Sequence, residues 1–333
     1  MLYVTTRSYC DTYTAAKTLT VDTAADGGLF VPFQMPSLTV SELQGMSHAQ
    51  AVAYVLGLFF RVRLTEDDIT QCIGSNQFTV KIADRKVWVS QLWNTANRAF
   101  EQIEYAIYRK LCREVTPLDH TTAWPKIAIR IAVLSALAAE LAGKETLDIA
   151  LNAGDFTDPI AAWYCRRMGL PIGKILCTTN ENGGLWELFT YGQASCGASV
   201  RKTAMPELDV ALPPQLERLI FGIYGRSEAM RFATCMEQGS LYKTAAIEQL
   251  SEGLSVSVVS TQRVNSVIHK VFSTNRCILD TYSALTFGGL QDYRATSGEI
   301  RQTLILSVYS PVIHKDAVAG ALGIPAYQLA ERI

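Results

Sequence analysis

Carboxylates are the side chains in this sequence whose positions most readily suggest chemistry. Glu101 stands near the start of an amphipathic stretch, and Asp155 and Asp158 lie in the segment Gly154-Asp155-Phe156-Thr157-Asp158 after an apolar run. A glutamate in a cleft can act as a general base, but nothing around Glu101 predicts a cleft, so we expect it on a solvated helix face. Two aspartates three residues apart can cap a helix or hold a cation. Helix capping is the expected role of Asp155 and Asp158.

An α/β scaffold is predicted to position these carboxylates. An apolar run at 147–151, a helical pattern at 159–168 and a second apolar run at 171–177 follow one another. This order is typical of a βαβ unit, whose two strands are parallel. We therefore expect a largely parallel twisted sheet flanked by helices. It should be formed mainly from residues 120–333, with an amino-terminal α+β portion packed onto it.

The other elements are predicted from hydrophobic periodicity and from turn signals. Strands are expected at 2–6, at 78–89 (two short strands around Asp84-Arg85), at 254–259 and at 303–308. Helices are expected at 12–16, within 47–74, and at 99–112, 127–141, 185–190, 261–272 and 315–322.

Composition excludes several classes of protein. Hydrophobic residues make up 49% of the 333 residues and charged residues 18%, which is the balance of a globular chain. The net charge of −1 and the lack of a Lys/Arg run predict no nucleic-acid partner. The longest apolar run, 127–141, contains Arg130 and Glu140, so no membrane span is expected. No signal peptide is visible at the first residues, and a cytoplasmic location is expected.

The cysteines and histidines do not predict a metal site. The eight cysteines are scattered without a CxxC pair, and the four histidines are isolated in sequence. Zinc sites usually bring such residues close together in the chain. We expect reduced thiols, with no disulfide framework and no bound metal.

Several ordered segments resemble the threonine synthase family. Residues 26–32, D-G-G-L-F-V-P, are similar to the amino-terminal signature of that family, and Asn180-Glu181-Asn182 is similar to its N-E-N segment. Residues 92–102, L-W-N-T-A-N-R-A-F-E-Q, resemble the family segment L-F-H-G-P-T-L-A-F-K-D. The resemblance implies a tryptophan synthase β-like fold (fold type II), with pyridoxal 5′-phosphate (PLP) as the family cofactor.

The same resemblance places altered residues at the positions that hold PLP. Glu101 stands where the family has the lysine that forms the Schiff base, and a carboxylate cannot form an imine. Asn94 and Thr95 replace a His-Gly pair.

The phosphate loop and the late positions are altered as well. Residues 154–158 answer to the phosphate loop G-N-F-G-N, with two aspartates and Thr157 as changes. Repulsion of a phosphate costs about 4 kcal/mol per charge pair at 4 Å, more than the roughly 0.3–2 kcal/mol that a helix terminus returns. At the late positions Ser283 and Ser307 keep hydroxyls, whereas Val308 replaces the Thr of L-S-T-A-H-P.

The resemblance also implies a missing module. Residues 114–117 lead almost directly to 122–127, which are similar to a much later family segment, so about one domain, roughly a hundred residues, is absent. We expect residues 1–115 to form a threonine synthase N-terminal-like portion. Residues 116–333 should form the large-domain portion, with the small domain missing.

These changes predict a non-catalytic binding or regulatory protein that has lost PLP. Its partner could be a second copy or another protein at the surface left by the missing domain, or a small amino-acid-like ligand. The alternative is a threonine synthase that converts O-phosphohomoserine to threonine, with PLP on a relocated lysine. Lys110 lies on the same predicted helix as Glu101 but nine positions further, so it should point elsewhere. A third reading is a cofactor-free enzyme that uses Glu101 or the two aspartates.

Overall fold

The computed structural model describes residues 1–74, 78–93, 100–113, 122–141 and 145–333. The predicted exchanges at Asn94 and Thr95, and the junction at 114–121 where a module is expected to be missing, lie outside these residues.

The described residues form strands, helices and three short 3-10 turns. The strands are β1 Leu2–Thr5, β2 Tyr13–Thr14, β3 Phe30–Pro32, β4 Thr79–Asp84, β5 Val87–Gln91, β6 Leu147–Asn152, β7 Ile172–Thr179, β8 Gln193–Ser195, β9 Leu241–Lys243, β10 Leu254–Val258 and β11 Thr303–Ser307. The helices are α1 Ala15–Thr18, α2 Val40–Leu43, α3 His48–Phe60, α4 Glu66–Ile73, α5 Phe100–Cys112, α6 Trp124–Leu141, α7 Thr157–Met168, α8 Gly184–Tyr191, α9 Leu216–Tyr224, α10 Arg226–Gln238, α11 Ile247–Leu250, α12 Val264–Asn275, α13 Thr281–Ser297 and α14 Lys315–Leu322. The 3-10 turns are Pro206–Leu208, Thr261–Arg263 and Ala326–Gln328.

A six-stranded sheet forms the centre of the fold, in the order β10-β7-β6-β11-β5-β4. All neighbouring pairs are parallel except β4 and β5, which form an antiparallel pair at one edge. The predicted α/β class with a largely parallel sheet is confirmed. Because β4 and β5 precede residue 115, the sheet draws strands from both predicted domains, and the division at 115/116 stays a prediction.

Apolar layers cover both faces of the sheet. Along β6, Leu147, Ile149 and Leu151 belong to one hydrophobic cluster, whereas Ala150 belongs to the other. This alternation follows from the two-residue period of a strand. The first cluster contains α3, α6 and α7, and the second contains α12 and α13. Strands buried on both faces in this way are typical of parallel sheets.

The helix α6 is almost entirely buried and packs against α3 and α7. Its apolar sequence is explained by this central position. Within the described ranges, no helix is long and apolar enough to cross a membrane.

The small sheet β2-β1-β3 is fastened to the rest of the chain by Arg218. Its Nε donates to the Phe30 carbonyl at 2.9 Å and its Nη2 donates to the Thr122 carbonyl at 2.9 Å. Burial lowers the pKa of this guanidinium to about 10. Because Glu217 and Arg218 are adjacent in sequence and opposite in charge, the sequence suggests an ion pair between them, but this interpretation is wrong. Glu217 pairs with Arg7, whose Nη2 is 3.1 Å away.

Two of the helix boundaries that differ from the predictions are explained by a side-chain contact. The first helix runs from Ala15 to Thr18 because Thr14 caps it, accepting from the Lys17 amide. The helix expected at 159–168 begins two residues earlier, at Thr157. The Asp155 carboxylate accepts the Thr157 amide at 2.9 Å and so permits the earlier start.

Candidate functional site

The predicted site positions converge at one edge of the central sheet. β6 and β11 are parallel, so their carboxyl ends, Asn152 and Ser307, lie at the same edge. The Phe100 amide donates to the Val308 carbonyl at 2.8 Å, which brings the first turn of α5, with Glu101, to the end of β11. In open α/β sheets, ligands bind at the carboxyl ends of the strands.

The loop before α7 bends through two left-handed residues. Gly154 has φ +44° and Phe156 has φ +74°. A left-handed conformation is unfavourable for a residue with a bulky side chain, and the complete burial of Phe156 offsets that cost. The Phe156 amide donates to the Ala153 carbonyl at 2.7 Å. Together with the Asp155–Thr157 contact, this occupies two amides at the turn into α7. Asp155 lies one residue before the N-cap, Phe156, and accepts the amide of the first helical residue.

Asp158 does not cap the helix, which corrects the prediction. Since α7 begins at Thr157, Asp158 is its second residue, and its Oδ1 lies 3.2 Å from Arg130 Nη1 on α6. Arg130 also contacts Glu104 of α5, with 3.2 Å between Nε and Oε1. Its guanidinium lies 4.2 Å from the centre of the Phe100 ring. The exposed side-chain fractions are only 11% for Arg130, 6% for Glu104 and 13% for Asp158.

This buried triad holds two carboxylates against one guanidinium. Burial raises the pKa of both Glu104 and Asp158, and the charge of Arg130 opposes that rise. Burial alone would lower the pKa of Arg130, but the two carboxylates hold it above its ordinary value. Each member of the triad therefore depends on the others for its charge.

Glu101 is exposed on the first turn of α5, beside Tyr309. Burial raises the pKa of Tyr309, and the negative charges of Glu101 and Glu207 add to that effect. The Tyr309 ring lies 4.9 Å from the Tyr282 ring and 6.2 Å from His314. Tyr309, with the two rings packed on it, thus lies beside Glu101, which stands at the position where the resemblance places the lysine.

The two late serines meet through a residue that the sequence did not single out. Ser307 Oγ donates to Asp280 Oδ2 at 2.7 Å, and Ser283 Oγ donates to the same oxygen. Asp280 Oδ1 caps α13, accepting from the Tyr282 and Ser283 amides. Trp93 Nε1 in turn donates to Ser307 Oγ at 3.1 Å. Burial raises the pKa of Asp280 despite these donors.

The hydroxyls of Ser283 and Ser307 are thus engaged within the chain. Val308, at the third late position, is buried and contributes only its carbonyl, to Phe100. Its side chain offers no polar group.

A second polar network supports the loop that follows β8. Asp209 Oδ1 accepts from Asn180 Nδ2 at 2.7 Å and from Asn182 Nδ2 at 3.0 Å, and Asp209 Oδ2 accepts the Thr203 amide at 2.7 Å. Glu181 caps the turn at Thr261. Asn180, Glu181 and Asn182 thus form a turn with polar caps after β7.

Sequence reasoning missed Arg130, Glu104, Asp280, Trp93 and Tyr309. Two of them carried a readable signal. Arg130 interrupts an apolar helix, and Glu104 lies four residues after Phe100 on the apolar face of α5. A charge on a buried helix face predicts a buried partner, so the two could have been paired before the structure was known.

Comparisons with known proteins agree with this architecture. Residues 2–76 match the family described as threonine synthase N terminus. Threonine synthase from Corynebacterium glutamicum is 28% identical over 213 residues, covering 60% of this chain and 44% of that protein. Human threonine synthase-like 1 is 25% identical over 144 residues, covering 42% of this chain and 19% of that protein.

Solved structures show the same fold at low identity. PLP-bound threonine synthase from Brucella melitensis superposes with a TM-score of 0.82 and 19% identity, covering 100% of this chain and 95% of that one. Yeast threonine synthase gives a TM-score of 0.84 at 16% identity, covering 97% and 90% of the two chains.

The chain has the same α/β fold as these threonine synthases of known structure. In sequence it is similar to threonine synthases over part of its length, and residues 2–76 match the amino-terminal family of those proteins. The matches span only 44% of the Corynebacterium protein and 19% of the human protein.

Proposed function

We propose that this relative of the threonine synthases is a non-catalytic binding or regulatory protein that does not hold PLP through a Schiff base. The observation that supports it most is the buried triad of Glu104, Arg130 and Asp158 beside the start of α7. In the family resemblance, that helix start is where the cofactor phosphate binds.

The groups around the start of α7 do not suit a phosphate. A phosphate site needs amides that point freely at the ligand, but the Thr157 amide donates to Asp155. Asp158 adds a second carboxylate in the first turn. The guanidinium of Arg130 already serves both Glu104 and Asp158. A phosphate there would meet two carboxylates, and two of the amides at the turn, those of Phe156 and Thr157, are already engaged within the chain.

The groups at the imine position, and at the late positions where the resemblance places the partner of the pyridine nitrogen, also argue against PLP. Glu101 cannot form an imine with an aldehyde. The hydroxyls of Ser307 and Ser283 donate to Asp280 and are committed within the chain. The residues at these positions therefore do not fit PLP.

The alternative, a threonine synthase that uses a relocated lysine, draws no support from Lys110. Lys110 Nζ lies 3.3 Å from Asp68 Oδ1 and donates to Gln71 Oε1 at 2.7 Å, so it faces α4. Those contacts keep its amine on the side of α5 away from Arg130 and Asp158.

The binding role includes two classes of partner. The first is a small amino-acid-like ligand at the sheet edge near Glu101 and Tyr309. The second is a protein partner, a second copy included, at the surface where a further domain is expected to be missing. We also propose a cytoplasmic location, since all eight cysteines are free thiols, as a reducing compartment favours.

The experiment combines catalysis with ligand binding. Purified protein is incubated with PLP and O-phosphohomoserine, and phosphate release is measured; melting temperature is then recorded with a panel of amino acids. We expect no phosphate release above that of free PLP, and an upward melting shift with at least one amino acid, because a ligand that binds only the folded state stabilises it.

The Glu101→Lys variant serves as the matched control. It restores the amine but leaves the phosphate loop unchanged, so we expect it to remain inactive as well. Turnover by the natural protein would overturn the proposal. Activity gained by Glu101→Lys alone would show that the loop still accepts phosphate, contrary to the argument from the triad. The lack of any melting shift would leave a protein partner as the binding target.

A further inference from the structure

Cys196 and Cys235 are each joined to Ser240 by a backbone hydrogen bond. The Cys196 amide donates to the Ser240 carbonyl at 3.0 Å, and the Ser240 amide donates to the Cys235 carbonyl at 3.0 Å. Both backbone polar groups of one residue thus join the two cysteines. The bond from Ser240 to Cys235 is the one that closes the end of α10 in a Schellman motif. In this motif the side chains of the two bonded residues are neighbours.

The two thiols are on facing surfaces of the hairpin and the helix. In the hairpin β8–β9, Ala194 pairs with Tyr242, and the two-residue period puts Cys196 on the same face as Ala194. The Tyr242 ring packs against Phe232 of α10, with 5.0 Å between ring centres. Cys235 comes three residues after Phe232, so it continues the same helix face.

A glycine pair brings the two backbones close together at this place. A Cβ atom at Gly197 would lie 2.6 Å from the Gly239 carbonyl oxygen, so a side chain cannot be accommodated there. Gly197 follows Cys196, and Gly239 ends the helix that carries Cys235. Such a close approach is what a disulfide needs, because its Cα atoms must be about 4.4–6.8 Å apart.

The environments of the two thiols differ. Cys196 is buried, and burial raises the pKa of its thiol to about 11. Cys235 is half-buried, and its Sγ lies 3.6 Å from the Leu241 carbonyl oxygen. An accessible thiol next to a second, resolving thiol is the usual arrangement of a redox-sensitive pair.

We propose that Cys196 and Cys235 form a reversible disulfide when the protein meets a glutathione disulfide. The Cys235 thiolate attacks one sulfur of the disulfide, forming a mixed disulfide and releasing one glutathione thiolate. Cys196 then loses its proton, attacks Cys235 Sγ and displaces the second glutathione as a thiolate. Two protein thiols are oxidised and one glutathione disulfide is reduced to two thiols.

This disulfide would join the hairpin β8–β9 to α10. It rests on the local geometry and is independent of whether the protein binds PLP or an amino acid.

The test measures disulfide formation directly in the full chain. Protein is equilibrated with glutathione buffers of increasing oxidation and quenched with acid. The free thiols are then alkylated under denaturing conditions and counted by mass. We expect the alkylated count to fall by two from the eight cysteines present. A cross-linked tryptic pair should join residues 175–201 to 232–243, and dithiothreitol should reverse the change.

Residues 175–201 also contain Cys177, so fragmentation must assign the bond. Cys177 is fully buried in β7 and should stay alkylatable after unfolding. The Cys196→Ser variant should stop at a glutathione adduct on Cys235, whereas Cys235→Ser should form neither adduct nor cross-link in this region. The Cys10→Ser variant, which removes an exposed thiol, should behave as the natural protein does.

Three results would overturn the proposal. The first is a protein that keeps all eight thiols in oxidising buffer. The second is one in which Cys10 alone is modified. The third is a bond from Cys235 to Cys177.

Discussion

Replacing Arg130 with methionine tests the buried triad, the feature on which the proposed loss of phosphate binding depends. Methionine keeps much of the side-chain length but removes the charge. Glu104 and Asp158 then remain buried beside each other, with exposed fractions of 6% and 13%. Removing one partner of a buried ion pair typically costs about 3–5 kcal/mol. We expect the Arg130→Met variant to lose stability of this order near neutral pH.

The pH dependence gives the prediction its sign. In the variant both carboxyl groups are buried without the charge of Arg130, so their folded-state pKa values lie well above those of the unfolded chain. A group with a raised folded pKa contributes its stability at low pH and loses it as the pH rises through that pKa. The penalty should therefore be largest near pH 8 and shrink as the pH falls toward 5.

Urea unfolding followed by circular dichroism, with the midpoint as the readout, is the assay. Arg109→Met, the same change on the exposed face of α5, is the control and should shift the midpoint little. Adding Glu104→Gln and Asp158→Asn to Arg130→Met should recover much of the loss, since no buried charge then remains. A midpoint equal to that of the natural protein, or a penalty that grows on acidification, would refute the reasoning.

Three further substitutions probe other parts of the fold. Gly253→Ala should destabilise by roughly the 1–2 kcal/mol expected for a left-handed alanine, because the Arg166 guanidinium that its Cβ would meet ends a flexible side chain and can turn away; Gly298→Ala, with φ +71° and open space, should show the same cost in thermal melts. Burial alone would raise the pKa of Asp209, but hydrogen bonds from Thr203, Asn180 and Asn182 hold this pKa below its ordinary value. The stabilising effect of Asp209 should therefore be lost only as the pH falls below the pKa of an ordinary carboxyl group. At neutral pH, Asp209→Asn should weaken the loop by about 1.5–3 kcal/mol and speed trypsin cleavage after Arg201 roughly tenfold or more; unchanged digestion would contradict this network. Ser307→Ala leaves Trp93 and Asp280 each short of one hydrogen bond, at about 1–3 kcal/mol, whereas Ser297→Ala at the exposed end of α13 should have little effect on urea unfolding.

The sheet and most helices could be predicted because their signals are local. The strands β6 and β11 are short apolar runs with turn residues on both sides, and α6 is a mostly apolar helix of eighteen residues. Boundaries were less secure where a single side-chain contact decided them. The Asp155–Thr157 bond that moved the start of α7 is one such case, since the sequence does not show which amide the carboxylate will meet.

The partners of the site residues could not be read from the sequence. Asp280 and Ser307 are separated by 27 positions, and Arg130 and Asp158 lie on two different helices. Their contacts depend on how β11, α6 and α7 are arranged around the sheet. Adjacent residues also misled: Glu217 and Arg218 point in different directions from one helix turn, toward Arg7 and toward the Phe30 carbonyl.

The most direct test of the central claim is a spectrum of the purified protein with PLP, before and after borohydride reduction, with mass analysis of any labelled peptide. The account predicts the spectrum of free PLP and no specific label on a lysine, for the natural protein and for Lys110→Ala alike. A visible aldimine band, with the label on one lysine after reduction, would contradict the account and locate a working cofactor site.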